Sequence, residues 1–246
     1  MKYLKKFETQ TAYTAAESSL ILPNVSLIAE TNGVAYKPVE PVPSHDFVEI
    51  GGIKWATMNV GATGVTDYGL YFQWGDTQGY TAAQVGTDKQ FSEADCKYGP
   101  IDWDAEPDYG LTKYNTIDGK TVLDASDDAV TAAWGGNWRM PTAEEIIALT
   151  AATNSSWVTD YQGSGINGRL FTDKTDSSKV LFFPSAGYCY QGIVYYVGMN
   201  GSYWSGSLST NVVTRGRYLN FSSSGIAVDN YDRCIGCAVR GVFGEN

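Results

Sequence analysis

The chain has 246 residues and a formal net charge of −10, with 43% hydrophobic and 18% charged residues. That length holds one large domain with a small appendage, and that balance excludes general disorder. The acidic charge argues against non-specific nucleic-acid binding and against an anionic membrane surface, and no segment approaches the ~20 apolar residues of a membrane span.

The opening "MKYLKKFETQ" carries lysines with no apolar run behind them, so no secretory signal is read. Residues 1–37 form a small module: a polar, partly helical start, then two short strands around Asn32-Gly33, a dipeptide suited to a tight hairpin turn. Pro38, Pro41 and Pro43 make residues 38–46 a semi-rigid linker. The single histidine, His45, lies at its end and reads as an exposed linker residue.

A domain of residues 47–246 follows. "FVEIGGIKWATMNVG" gives two strands split by Gly51-Gly52, and "DYGLYFQWGDT" reads as an aromatic strand. Residues 76–128 are acidic and without periodicity, as in an insertion on a scaffold. Asp102, Asp104, Glu106 and Asp108 recur at spacing two. Such oxygens suit Ca²⁺, but the glycine and terminal glutamate of a calcium loop are missing, so a solvated acidic loop is the preferred reading and no cofactor or metal is assigned. Two short helices are expected, over 126–134 and 141–152, the second with a capping box from Thr142 to Glu145. After residue 165 the pattern is strand and turn throughout.

Candidate chemistry is sparse. Cys234 and Cys237 form a Cys-x-x-Cys, but Cys96, Cys189 and His45 are scattered singly, which leaves zinc short of ligands. The sequence "RCIGCAVRGVF" is β-branched and does not open a helix, so a redox dithiol is disfavoured. No Ser-His-Asp, phosphate-loop or metalloprotease pattern occurs, and no catalytic set is named.

A compositional signal remains. Residues 187–240 contain no Lys and no Glu, although even usage of the chain's 11 Lys and 10 Glu would place between four and five there. The same window holds seven of the 17 Tyr and three of the four Cys. A buried β region also avoids Lys and Glu, and Tyr with Gly suits both turn-rich β folds and adaptable binding surfaces, so both readings stand at this point.

The ordered strings "IKWATMNVGATGVTDYGLYFQWGDT", "WGGNWRMPTAEEIIAL", "GRLF", "VLFFPSAGY", "GSYWSGS", "YLNF" and Arg233-x-x-Gly236-x-x-Val239-Arg240 resemble the Fibrobacter-succinogenes-type major paralogous domain of gut Bacteroidetes and their phages. The resemblance covers about residues 47–243. It implies an α+β, C-type-lectin-like fold in its formylglycine-generating-enzyme-like form, β-rich with two short helices. It also implies a variable region at about 187–240, similar in kind to phage tropism determinants diversified by a retroelement. Such elements mutate adenines in AAY codons, which never yield Lys, Glu, Gln, Met or Trp. Gln191, Met199 and Trp204 are then fixed positions.

On that resemblance Trp55, Trp74, Trp138, Arg139, Trp204, Arg233, Gly236 and Arg240 are scaffold. The expected diversified, ligand-binding positions are Cys189, Ile193, Tyr195, Tyr196, Ser202, Leu208, Ser209, Asn211, Val212, Arg217, Asp229, Tyr231, Cys234 and Ile235. Cys234 is expected in a solvent-facing turn and Cys237 in the core. The implied function is receptor binding by a phage tail or virion protein on the virion surface. Its partners would be a host-surface protein or glycan, and other virion proteins through residues 1–37. Neither nucleic acid nor membrane insertion is implied, and a homotrimer is expected by analogy with fibres. A bacterial cell-surface adhesin and an enzyme on the same fold are the alternatives.

Overall fold

The computed structural model describes Glu30–Thr31, Val34–Ala35 and residues 45–244. The chain divides into two units, Met1–Pro43 and Ser44–Asn246. In the first, β1 (Glu30–Thr31) pairs antiparallel with β2 (Val34–Ala35) in the register a two-residue Asn32-Gly33 connection requires. The helical start expected nearer the N-terminus lies outside the described residues.

The second unit is mostly β, with two short helices and several small sheets. Strands β3 (Phe47–Ile50) and β4 (Ile53–Asn59) form a hairpin whose turn residues Gly51 and Gly52 both have positive φ, 60° and 79°. Residues 60–128 hold two short 3₁₀ turns and no strand or α-helix. The aromatic strand expected in "DYGLYFQWGDT" is only a pair of isolated bridges, Tyr71 to Tyr80 and Phe72 to Cys237. Its rings are buried in both cores and dictate a packed loop rather than a ladder. The carboxylates of the acidic run serve its own backbone: Asp102 accepts from the Asp104 amide at 3.0 Å, and Asp108 from the Thr116 amide at 2.7 Å. Among the described residues no three His, Cys, Asp or Glu side chains are grouped to hold a metal.

Helix α1 (Ala129–Trp134) begins later than expected. Asp128 caps it, accepting from the Val130 and Thr131 amides at 2.9 Å each, and Ala125–Asp127 is a 3₁₀ turn. After β5 (Trp138–Arg139) comes α2 (Ala143–Ala152), capped by Thr142 with Glu145 in the reciprocal arm. Arg139 grips the same Glu145 through both terminal nitrogens at 2.7 Å. Burial pushes the Glu145 carboxyl up, but Arg139 and the Thr142 amide outweigh it, so it lies below the usual glutamate range. Its stabilisation is therefore present above the unfolded value of about 4.3 and is lost as pH falls through the folded one. Acid titration of urea unfolding should show stability dropping below that value, with a shallower drop in Glu145→Gln; equal slopes would remove the pair from the acid response.

The strands then follow in quick succession. β6 (Thr153–Val158), β7 (Gly168–Asp173) and β8 (Val180–Pro184) form one antiparallel sheet, and β6 was not anticipated. β9 (Tyr188–Tyr190) pairs with β10 (Ile193–Tyr195). β11 (Asn200–Leu208), β12 (Arg215–Ser222) and β13 (Gly225–Asp232) form a meander. β14 (Arg240–Phe243) returns between β4 and β5, so the first and last strands of the domain share a sheet in the order β3-β4-β14-β5.

β11 and β12 bury side chains on both faces, whereas β13 is only partly covered. Alternation sends Trp204 and Tyr218 into a core around Trp74 and Trp138, and Tyr203, Leu219 and Phe221 into a second core around Trp55, Phe171 and Phe183. Trp74 and Trp204 tie the meander to the 60–128 loop reciprocally. Trp74 Nε1 donates to the Ser205 carbonyl at 2.9 Å, and Trp204 Nε1 to the Phe72 carbonyl at 2.9 Å. No helix among the described residues is long and apolar enough to cross a membrane.

Candidate ligand-binding surface

Tyrosine strands rich in turn residues need a rigid base to hold rings at a surface. Here the base is the Trp204 face of the meander. Tyr218 packs on Trp204 with centroids 5.9 Å apart, Tyr231 on Tyr218 at 5.2 Å, and Tyr188 on Tyr231 at 5.3 Å. Tyr188 then meets Tyr195, its partner across the β9–β10 hairpin, at 5.5 Å and Tyr196 at 5.9 Å. The rings thus climb from a fully buried indole to Tyr196, which is 52% exposed. Around the top stand Ile193, Val197 and Met199, also exposed.

The backbone fixes this hairpin. Gln191 and Tyr196 hold positive φ, 46° and 57°, a strained region for residues with a Cβ. The Tyr196 carbonyl accepts from the Met199 and Asn200 amides at 3.0 Å each, and Gly192 donates to the Gln90 carbonyl at 2.6 Å. Burial, then the neighbouring Tyr188, raises the Tyr231 hydroxyl pKa, and burial raises that of Tyr218. Tyr190 donates to Glu93 at 2.8 Å, which with burial pushes it up to about 12. These three hydroxyls stay protonated donors at neutral pH.

The expected binding positions separate by depth. Ile193, Tyr196, Asn211 and Asp229 are exposed; Tyr195, Val212, Arg217 and Tyr231 are half-buried. Cys189, Ser202, Leu208, Ser209, Cys234 and Ile235 are buried and offer no surface in this structure. For Cys234 the solvent-facing turn is corrected: the residue is 0% exposed. The turn docks on β9, with Cys189 and Gly236 exchanging backbone hydrogen bonds at 2.7 and 2.9 Å, and the Gln73 side chain closes it by donating to the Cys234 carbonyl at 3.0 Å. Both covering segments are remote in sequence, which is why local turn chemistry misled.

Cys237 is buried too, and all four thiols are free. Burial raises every one of them, Cys96 to about 11, so none is a thiolate at neutral pH. His45 is not an exposed linker residue. Its ring stacks on Trp134 at 4.2 Å and meets the edge of Trp138 at 5.7 Å.

Of the expected scaffold, Trp55, Trp74, Trp138, Trp204, Arg233, Gly236 and Arg240 are buried, and Arg139 is partly covered. Arg233 has no carboxylate partner among the described residues. It donates to the carbonyls of Tyr114 and Val213 at 2.9 Å and Lys113 at 3.0 Å, and lies 5.1 Å over Trp74. A Cβ at Gly236 would come within 2.6 Å of Phe91 and 2.9 Å of Cys189. Sequence reading missed Tyr188, Tyr218 and Val197 as members of the tyrosine surface. Their signal was present as tyrosine spacing across the β9–β10 turn, but only the meander's placement brings Tyr218 and Tyr231 beneath it. Met199, expected as a fixed position, is 61% exposed at the rim.

Together these features define a mostly-β domain that presents a pre-organised tyrosine surface. Comparison with family models, with curated proteins and with solved structures finds no match to this chain.

Proposed function

We propose that the chain is a receptor-binding protein with a C-type-lectin-like domain, displayed on a virion surface, whose tyrosine surface contacts a host-surface partner. The observation that carries the reading is the continuous stack from Trp204 to Tyr196 on a backbone held in strained conformations. Rigid tyrosines supply large contact area at low entropic cost, and a patch of exposed Ile193, Tyr196, Val197 and Met199 is a liability in a chain with no partner. The absence of Lys and Glu from 187–240 fits adenine-directed diversification. In this reading the diversified set narrows to Ile193, Tyr195, Tyr196, Asn211, Val212, Arg217, Asp229 and Tyr231, because changes at the buried positions would break the core.

Two measurements test it. The gene should lie beside a reverse transcriptase and a near-repeat of its own 3′ end that differs at adenines; a neighbourhood with neither ends the diversification part. Fluorescent full-length chain should label a subset of gut Bacteroidetes strains by flow cytometry. Tyr195→Ala/Tyr196→Ala should weaken labelling by about 30-fold, the effect of losing ~2 kcal/mol of aromatic anchor, without a change in unfolding midpoint. Equal labelling by the variant sinks the tyrosine surface as the contact.

A further inference from the structure

The tyrosine surface adjoins an open sheet edge. β13 is the last strand of the β11-β12-β13 meander, and among the described residues nothing pairs with its other side. The Asn230 amide donates to the Asp229 side chain at 2.8 Å instead of to β12, so it points outward. Alternation along an antiparallel ladder aims the amides of Val228 and Ile226 the same way. An edge eight residues long with outward amides is a template for another strand.

Its side chains say what that strand would carry. Cross-strand partners share a face, so Ala227, Asp229 and Tyr231 lie on the Trp204–Tyr218 side, beside the tyrosine stack. The two nearby arginines are both engaged: Arg215 Nε with Asp232 at 2.9 Å, and Arg217 with Glu144 at 3.5 Å. Asp229 is exposed and has no cation among the described residues. A second copy of this edge would set Asp229 against like charge, which disfavours self-pairing. The aliphatic rim of Ile193, Val197 and Met199 offers no hydrogen bonds to a sugar.

We infer that the partner is a polypeptide that adds an extended, cation-bearing segment to β13. A Lys or Arg of that segment sits against Asp229, and an apolar or aromatic side chain two residues away lies against Tyr231. Main-chain hydrogen bonds to Ile226, Val228 and Asn230 supply affinity, and the alternating side chains supply selectivity. The inference rests on the tyrosine surface being the contact face.

The test is amide hydrogen exchange of the full chain with two short synthetic peptides, alternating valine and threonine around a central lysine or a central glutamate. The lysine peptide should slow exchange at Ile226 and Val228 by about tenfold and the glutamate peptide should not, the difference expected of one charge-assisted contact. Asn230→Pro removes an outward amide without breaking the β12 ladder, and should abolish protection of Val228. Asp229→Lys should reverse the peptide preference. Equal protection by both peptides, protection that survives Asn230→Pro, or Ile226 and Val228 amides already protected in the free chain would each overturn strand addition. Cell labelling that needs Tyr195 and Tyr196 but is unchanged in Asn230→Pro also overturns it, and leaves the tyrosine surface standing.

Discussion

Replacing Arg240 by alanine is expected to lower the unfolding free energy by about 3–5 kcal/mol. The guanidinium is 1% exposed and meets no carboxylate among the described residues. Its Nε donates to Asn59 Oδ1 at 2.8 Å, one terminal nitrogen to the Ala56 carbonyl at 3.0 Å, and the other to the Phe182 carbonyl at 3.1 Å. The cation also lies 4.4 Å over the Phe183 ring. Burial lowers its pKa to about 10, so it is still charged at neutral pH. One side chain therefore joins β14 to β4 and to β8, linking two sheets. Desolvating the charge is costly, but removing it orphans three buried acceptors that water does not reach, and that second cost dominates. Arg240→Met should lose nearly as much, because an apolar chain of similar volume leaves the same acceptors bare. Arg240→Lys should recover only part, since one ammonium cannot span the fork. Urea denaturation reads all three. A loss below ~1 kcal/mol for Arg240→Met would show that the carbonyls find other partners.

The second large effect is expected at Gly187, where alanine should cost about 3 kcal/mol and also displace the tyrosine surface. Its φ is +69°, and an added Cβ would collide with the Tyr195 carbonyl oxygen and lie 2.9 Å from the Val197 amide. Both are backbone atoms, so neither can swing aside. Relief requires moving the segment that carries Tyr195 and Tyr196, and with it the top of the ring stack. Gly187→Ala should therefore lower the unfolding midpoint and weaken cell labelling together. Gly225→Ala, with normal φ and open space around it, is the matched control and should stay within ~0.5 kcal/mol. A Gly187→Ala protein of unchanged midpoint would show that the close approach relaxes freely.

Local signals located the elements whose causes are local. Gly51-Gly52 marks a turn because both positions need positive φ, and Thr142 with Glu145 marks a helix start because two side chains satisfy two amides within four residues. The string "RYLNFSSSGIAVDN" reads as strand and turn, and its two strands, β12 and β13, pair as sequence neighbours, whereas the pairing of β11 with β12 was not read from the sequence. β6 was not legible, because its "TNSSWV" has a weak apolar pattern and is held by pairing with β7. The aromatic run at 68–77 carries a strand's composition but lacks a neighbouring strand along its length, so it folds as a bridged loop.

By itself the sequence determined a β-rich domain with two short helices and a window without Lys or Glu. Composition marked the window as rich in tyrosine, whereas Tyr195, Tyr196 and Tyr231 as contact positions and Trp204 as scaffold came only from the family resemblance. Only the tertiary structure decided which residues of that window reach solvent. Cys189 and Cys234 are sealed by segments distant in the chain, Tyr231 is raised beneath Tyr188, and β13 is left with an unpaired edge. The physical reason is that exposure belongs to the packing of remote segments against one another, and no local pattern encodes which segment arrives to cover a given side chain.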